Sequence, residues 1–387
     1  MNKSLFFTNL AQELAVCARC GYCLSVCETY QEIGWESASP RARLRQANQL
    51  QTKSEPEMAA AEMLRLYQCT LCARCTEVCP LGIDLRQVWL VARHEAAKQD
   101  LAPAHLKQMQ QSLKIQHNVF NLPNDTRSEW LMYMDDPPDD LDQREQADIV
   151  YFVGCVSSFS PAAQPVTEAF TRVMAAAGLD FAIMGEAEQC CGYPLLAAGL
   201  VEEVEALRQH NAATVKAMGA KMVVFNCPSC TLTWREFYAD ALPGVEFKHA
   251  VELLAELVGD GRLTLTDLPL TVTYHDPCDL GRNGHVYEAP RQSLAAVPGL
   301  RLIEAAENRE RGICCGGGGD LEMVDPALTT QVGVKAVEKL AAPGVEAIVT
   351  ACPQCVRMFK SATENAGRPI EVLDLVQVID RALEREK

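Results

Sequence analysis

The sequence predicts an α-helical, cysteine-rich N-terminal domain followed by two tandem α/β CCG repeats with small parallel sheets. Three observations carry this. Two C-x2-C-x2-C-x3-C runs stand at the start, Cys17, Cys20, Cys23, Cys27 and Cys69, Cys72, Cys75, Cys79. Behind them a five-cysteine pattern occurs twice: Cys155, Cys190-Cys191-Gly192, Cys227-x-x-Cys230, then Cys278, Cys314-Cys315-Gly316, Cys352-x-x-Cys355. The offset between matching cysteines grows from 123 to 124 to 125, one added loop residue at each step. Around these cysteines short apolar runs alternate with helical periodicity, the pattern of a parallel sheet with crossover helices.

The 387 residues suffice for two or three domains, each burying its own core, and 48% hydrophobic with 22% charged residues is ordinary for a globular chain. No apolar run approaches the roughly 18 residues of a membrane span. Lys3 to Phe7 resembles a signal peptide briefly, but Asn9, Gln12 and Glu13 break it and no small-residue cleavage site follows. A cytoplasmic location is expected, with attachment to the inner face of a membrane through a partner as an extension. In such a chain eighteen cysteines imply metal or redox chemistry rather than a disulfide framework. A net charge of -16 argues against nucleic acid.

Residues 2 to 16 read as a short helix with Phe6, Leu10 and Leu14 on one stripe, packing on the next domain rather than anchoring in a membrane. Each cysteine run that follows suits three corners of a 4Fe–4S cubane, its fourth cysteine serving the other cluster as in two-cluster ferredoxins. This groups Cys17, Cys20 and Cys23 with Cys79, and Cys69, Cys72 and Cys75 with Cys27. Structural zinc is the rival, but zinc has no use for a strict four-cysteine run appearing twice. The 41 residues between Cys27 and Cys69 read helical, with Ser39 as N-cap, Pro40 at N1 and a second start at Pro56. The region resembles the α-helical ferredoxin domain of succinate dehydrogenase iron–sulfur subunits and of the C subunit of heterodisulfide reductase. Glu28 stands where proline is common. Arg41, Arg43 and Arg45 are expected on a solvated helix face rather than against a cluster or partner. Residues 121–148, with Asp135-Asp136-Pro137-Pro138-Asp139-Asp140, read as an acidic linker.

From Ile149 the α/β pattern begins. Strands are expected at 149–153, 181–184 and 222–225, and again at 270–274, 300–303 and 347–350, with a long helix near 200–218. Closing helices correspond too: Phe247, Val251, Leu254 and Val258 match Val372, Val376, Ile379 and Leu383 at an offset of 125. His249 and Asp374 share that register and are expected to cap. The domains are then 1–120, 121–148 (linker), 149–262 and 263–387. Cysteines following strands gather at the C-terminal edge of each sheet, where α/β sites lie.

Five thiolates per repeat exceed what one zinc or one cubane takes, and suit a more open cluster. Gly192 and Gly316-Gly317-Gly318-Gly319 leave backbone N–H groups free to approach cluster sulfur, which tunes its potential. A phosphate loop is the alternative for the glycine run, but the Walker lysine and hydroxyl are absent. Two such motifs behind paired ferredoxin motifs resemble heterodisulfide reductase, either its fused B and C subunits or its D subunit, over about residues 12 to 385. Tyr274-His275-Asp276-Pro277-Cys278 and Cys352-Pro353-Gln354-Cys355 are similar to the D-subunit group. The iron–sulfur subunits of glycolate oxidase and anaerobic glycerol-3-phosphate dehydrogenase are related, but the former tend to lose a cysteine from the final pairs that this chain keeps.

The resemblance implies two cubane 4Fe–4S clusters and one or two CCG-type, non-cubane 4Fe–4S clusters. Metal ligands would be all eighteen cysteines. Cys190, Cys191, Cys314, Cys315 and His275 are the expected catalytic residues, with Gly192, Gly316 and Gly317 at the cofactor. His275 and Asp276 stand ready to protonate a thiolate product or to fix the strand end. The implied activity is an iron–sulfur oxidoreductase subunit passing electrons between a partner redox subunit and a thiol/disulfide. The alternative is a pure relay for a flavin-dependent 2-hydroxyacid or glycerol-3-phosphate dehydrogenase, or for a membrane respiratory complex. Either reading needs a flavoprotein, cytochrome or quinone-linked partner, since no nucleotide-binding glycine motif is present. A zinc-stabilised scaffold is the third possibility.

Overall fold

The computed structural model describes residues 10–52 and 60–384. The expected helix at 2–16 is seen from Leu10 to Val16, and its first part, with Phe6, lies outside the described residues. The expected start at Pro56 lies outside them as well; a helix runs over Ala60–Tyr67. The N-terminal domain is helical throughout. Ser39 caps the helix Pro40–Thr52 as its sequence implies, accepting the Ala42 N–H at 3.0 Å. That helix packs against Leu85–Lys98, whose own cap is Asp84 (Gln87 N to Asp84 Oδ1, 3.1 Å). Tyr67, Val88 and Trp89 fill the space between them.

The acidic stretch 121–148 is not a free tether. Its aspartates at 135, 136, 139, 140 and 142 face solvent, but Trp130, Met134 and Leu141 are buried against the first sheet. Consecutive 3-10 turns run from Asn124 to Tyr133, and the Leu141 carbonyl accepts the Ile183 N–H at 3.1 Å. Composition registers the charges on the outer side of this strap; three widely spaced apolar anchors decide where it lies.

The first sheet contains β1 (Ile149–Phe152), β2 (Phe181–Ile183), β3 (Met222–Phe225) and β4 (Glu246–His249), all parallel in the order β2-β1-β3-β4. The second contains β5 (Thr271–Tyr274), β6 (Arg301–Leu302), β7 (Ala347–Thr350) and β8 (Glu371–Asp374) in the order β6-β5-β7-β8. Near-continuous Ile, Val, Tyr, Phe and Met in β1 and β3 is what a sheet covered on both faces requires. Phe247 and Val372 lie on the edge strands β4 and β8 rather than in the closing helices, which begin at Ala250 and Leu375. Four-residue edge strands carry too little alternation to separate from a helix start. The capping expectation holds: His249 accepts the Val251 N–H and Asp374 the Val376 N–H, each in a capping box.

The two sheets share one apolar core. Helix Gln164–Ala176 packs on Leu375–Ala382, joining Phe170 and Val173 to Val376 and Ile379. Arg172 adds a two-pronged ion pair to Asp380 (3.1 and 2.8 Å) across the join.

Candidate metal centres

In both N-terminal runs the chain coils around its cysteines by the same device. The residues on either side of the second cysteine are left-handed: Arg19 and Gly21 around Cys20, Leu71 and Ala73 around Cys72. Left-handed backbone costs a non-glycine residue about 1–2 kcal/mol, and strain of this kind collects at functional sites. The result is two rings of four thiols. Cys17, Cys20, Cys23 and Cys79 line one cavity of about 30 Å³. Cys27, Cys69, Cys72 and Cys75 line another of about 20 Å³. Each ring thus borrows its fourth cysteine from the other run. Among the described residues no trio of His, Cys, Asp or Glu converges as around a single ion. Thiols spaced around a small cavity fit a polynuclear iron–sulfur centre better than zinc.

Arg43 departs from the expected solvated face. It is fully buried, reaching toward Cys27 Sγ at 3.7 Å and holding the Arg65 and Gln68 carbonyls. Arg41 is half-buried and Arg45 exposed, and they pair with Glu36 and Glu62. Glu28, the departure from the proline pattern, is bonded to Arg74, which also reaches Glu307 at 2.7 Å. The Cys314 N–H points at the same Glu28 carboxylate at 3.4 Å. Glu28 and Arg74 thereby tie the helical domain to the second repeat.

In the repeats, Cys227 and Cys352 sit at the N-caps of helices Pro228–Phe237 and Pro353–Asn365, each with proline at N1. C-P-x-C is therefore a helix start that sets two thiols at its positive end. Cys155 opens a short helix after β1, and Cys278 follows β5. The two cysteine sets face one another: Cys155, Cys190, Cys191, Cys227 and Cys230 with Cys278, Cys315, Cys352 and Cys355 line one cavity of about 380 Å³. Cys315 and Cys355 sulfurs are 3.2 Å apart, and the Cys227 thiol meets Cys352 across the divide. In both halves the second vicinal cysteine is the more acidic. Hydrogen bonding from Cys190 lowers Cys191 to about 6, and Cys314 lowers Cys315 in the same way.

The backing of the two sets differs. Behind Cys155 lies a buried ion pair, Arg127 to Glu188 at 2.7 Å. Glu188 accepts the Val153 and Gly154 N–H groups, both at 2.8 Å, and Arg127 reaches Cys155 Sγ at 3.8 Å. In the second set Cys314 turns away from the shared cavity to meet Cys72 of the helical domain. Arg282 spans the same join, from the Cys72 carbonyl (2.6 Å) to that of Gly312 (2.5 Å).

His275 does not line the cavity. Its Nδ1 faces Thr350 Oγ1 and its Nε2 faces the Ile313 carbonyl, both at 3.0 Å, and its ring packs edge-on against Phe359. Burial lowers its pKa, so it is a neutral group that fixes the strand ends. Asp276 is held by Arg291 through two 2.9 Å bonds. The glycines divide their work. The Gly192 N–H faces Cys190, and the Gly316 N–H faces Cys314 Sγ at 3.4 Å. A side chain on Gly317 would strike Met358 and Gln354. On Gly318 or Gly319 it would strike the Thr70 or Cys69 backbone, so these two serve the contact with the helical domain. Arg93 locks that contact through the carbonyls of Ala197 (2.8 Å), Gly319 (2.9 Å) and Cys69 (2.8 Å). Arg127, Glu188, Arg93 and Arg282 carry no sequence signal, since their partners lie tens to hundreds of residues away.

Two rings of four thiols joined to paired cysteine-rich α/β domains define an iron–sulfur oxidoreductase subunit. The cysteine-rich domain family (CCG) matches residues 149–235 and 272–360, and the 4Fe–4S dicluster domain matches 13–83. The chain is 30% identical to the D subunit of the dihydromethanophenazine:CoB--CoM heterodisulfide reductase of Methanosarcina barkeri, over 96% of this chain and 94% of that protein. It is 26% identical to the EtfAB:quinone oxidoreductase of Syntrophomonas wolfei, over 95% of this chain and 53% of that protein. It is also 26% identical to the B subunit of the fumarate reductase (CoM/CoB) of Methanothermobacter marburgensis, over 96% of this chain and 73% of that protein. The chain belongs to the family of iron–sulfur proteins that includes the heterodisulfide reductase D subunits.

Proposed function

We propose that this subunit passes electrons between a partner redox subunit and a thiol–disulfide couple held in the central cavity. The observation that carries the reading is that nine cysteines from both repeats line that one cavity. A disulfide placed there lies between two sulfur-rich walls, so each half of the broken bond meets its own wall. In this reading Cys17, Cys20, Cys23 and Cys79 hold one cubane, and Cys27, Cys69, Cys72 and Cys75 the other. The ten repeat cysteines hold one or two CCG-type clusters. Bound clusters supply one-electron steps, so that RS–SR′ with two electrons and two protons yields RSH and R′SH. The chain itself supplies the spacing. The Cys72–Cys314 contact brings the conducting domain against the second repeat, and Arg43, Arg127 and Arg282 offset negative charge beside the thiolates.

Electrons would come from a flavoprotein or from a cytochrome or quinone-linked partner, with the chain in the cytoplasm or at the inner face of a membrane. Among the described residues no helix is long and apolar enough to cross a membrane. The test is whether purified, reduced protein consumes a small disulfide without other subunits. Cys314→Ser or Cys315→Ser is expected to abolish turnover and leave the cubane spectrum intact; surviving turnover sinks the catalytic role of the second repeat. A protein that conducts to a flavin dehydrogenase but never consumes a disulfide is the relay that its kinship with an EtfAB:quinone oxidoreductase favours.

A further inference from the structure

Of the three carboxylates among the described residues that line the central cavity, two are hydrogen-bonded to side chains. Asp279 is bonded to Ser229 and Asn283, each at 2.6 Å. Glu322 is bonded to Arg357 and to Gln354 (3.2 Å). Asp320 differs. It holds the N-cap position of the short helix Leu321–Val324, a place where aspartate ordinarily accepts a backbone N–H, yet its side chain makes no capping bond. Its Oδ2 is buried without a partner, the residue is 9% exposed, and it lines the cavity among the cysteines. A buried polar atom left unpaired in a folded chain calls for an explanation.

The position is built rather than accidental. Gly318 and Gly319 press against the Thr70 and Cys69 backbone, where no side chain fits, and this contact delivers Asp320 with φ +59. Arg93, whose charge reaches Asp320, gives its two terminal nitrogens to carbonyls, and its Nε is buried without a partner. Burial therefore dominates and moves the Asp320 carboxyl up to about 7, with Arg93 pulling it partly back. The other charged or titratable groups around it are the nine cavity cysteines, Asp279, Glu322 and Arg357, together with Tyr67 and Tyr193, whose hydroxyls sense the Asp320 charge.

We propose that Asp320 is the proton donor of the central cavity, protonating the thiolate released when a bound disulfide is reduced. This rests on the thiol–disulfide reading above. Two electrons from the reduced redox partner break the S–S bond. The Asp320 O–H then breaks as an S–H bond forms, the second proton comes from water, and solvent restores the carboxyl. Because the acid form is required, turnover falls as pH rises and the carboxyl ionises.

The experiment uses the cluster-loaded chain, reduced viologen as electron source and the uncharged 2-hydroxyethyl disulfide. Asp320→Asn suits the left-handed backbone, since asparagine tolerates it, and cluster content and the paramagnetic resonance spectrum check that it folds and loads. It is expected to lower turnover about 100-fold and to remove the fall above neutrality, while Asp320→Glu restores most of the rate. Independently of turnover, infrared spectra of the wild type at pH 6 should contain a protonated carboxyl band that Asp320→Asn lacks. An unchanged rate and pH profile in Asp320→Asn overturns the role, and so does a missing band. A loaded wild type that consumes no disulfide removes the thiol–disulfide reading and this role with it.

Discussion

The two cysteine-rich halves repeat one fold and one cysteine order, but equivalent thiols look in different directions. Cys190 faces Cys155 inside its own half. Cys314, its counterpart, faces Cys72 in the helical domain. The first half is closed from behind by an ion pair, with Arg127 brought in by the strap at 124–133. The second half is open toward the N-terminal rings, and Glu28, Arg74 and Arg282 hold that opening. Duplication supplied two similar cups. Residues outside the repeat made one a wall and the other a junction.

The sharpest break in this comparison is Arg127→Leu. It leaves Glu188 buried and unpaired, with an expected cost of about 3–5 kcal/mol, read as a lower denaturation midpoint of the loaded chain. Adding Glu188→Gln should recover much of the loss. A double variant no better than the single means that packing, not charge, closes the first half.

The caps offer a subtler contrast, because His249 and Asp374 occupy the same register with opposite proton linkage. Burial lowers His249 from 6.5 to about 4. The folded chain then binds fewer protons than the unfolded one, and this contribution is lost as pH falls from about 6.5 to about 4. Burial raises Asp374 from 3.8 to about 7. There the folded chain keeps a proton the unfolded one has shed, and the contribution is lost as pH rises from about 4 to about 7. Each is worth on the order of 3 kcal/mol at full extent. In denaturant titrations across pH, His249→Gln should flatten the acid-side decline relative to wild type, and Asp374→Asn should remove an opposing slope. Parallel slopes in the two variants contradict the assignment.

The smallest effect concerns the junction. Gly319→Ala puts a methyl group against the Cys69 carbonyl in left-handed backbone, whereas Gly344→Ala meets open space at a similar φ. Both bear left-handed strain of about 1–2 kcal/mol, and the first should lose about 1–3 kcal/mol more from overpacking. Equal melting shifts would show that the helical domain does not depend on the glycine run.

What can be read in advance follows from how local each cause is. The repeat register, the six strands other than β4 and β8, the Ser39 cap and the His249–Asp374 correspondence depend on residues a few positions apart, so the sequence displays them. The exchanged fourth cysteine is legible because the C-x2-C-x2-C-x3-C spacing implies it. Arg43 escapes such a reading because helical spacing cannot say that the face beside Cys27 is covered. The strap escapes it because the seven acidic and proline residues between 135 and 142 outweigh one tryptophan in composition but not in packing. Gly318 and Gly319 serve a surface some 250 residues distant, and nothing beside them announces it.

Burial at the junction bears on the order of assembly. Cys69 is enclosed in the finished chain, and Arg93 bonds its carbonyl together with those of Ala197 and Gly319, drawing three separate segments around it. A cluster held there would be inserted most easily while the helical domain and the repeats are still apart, and a chain that closed first would have to release Arg93 to admit it.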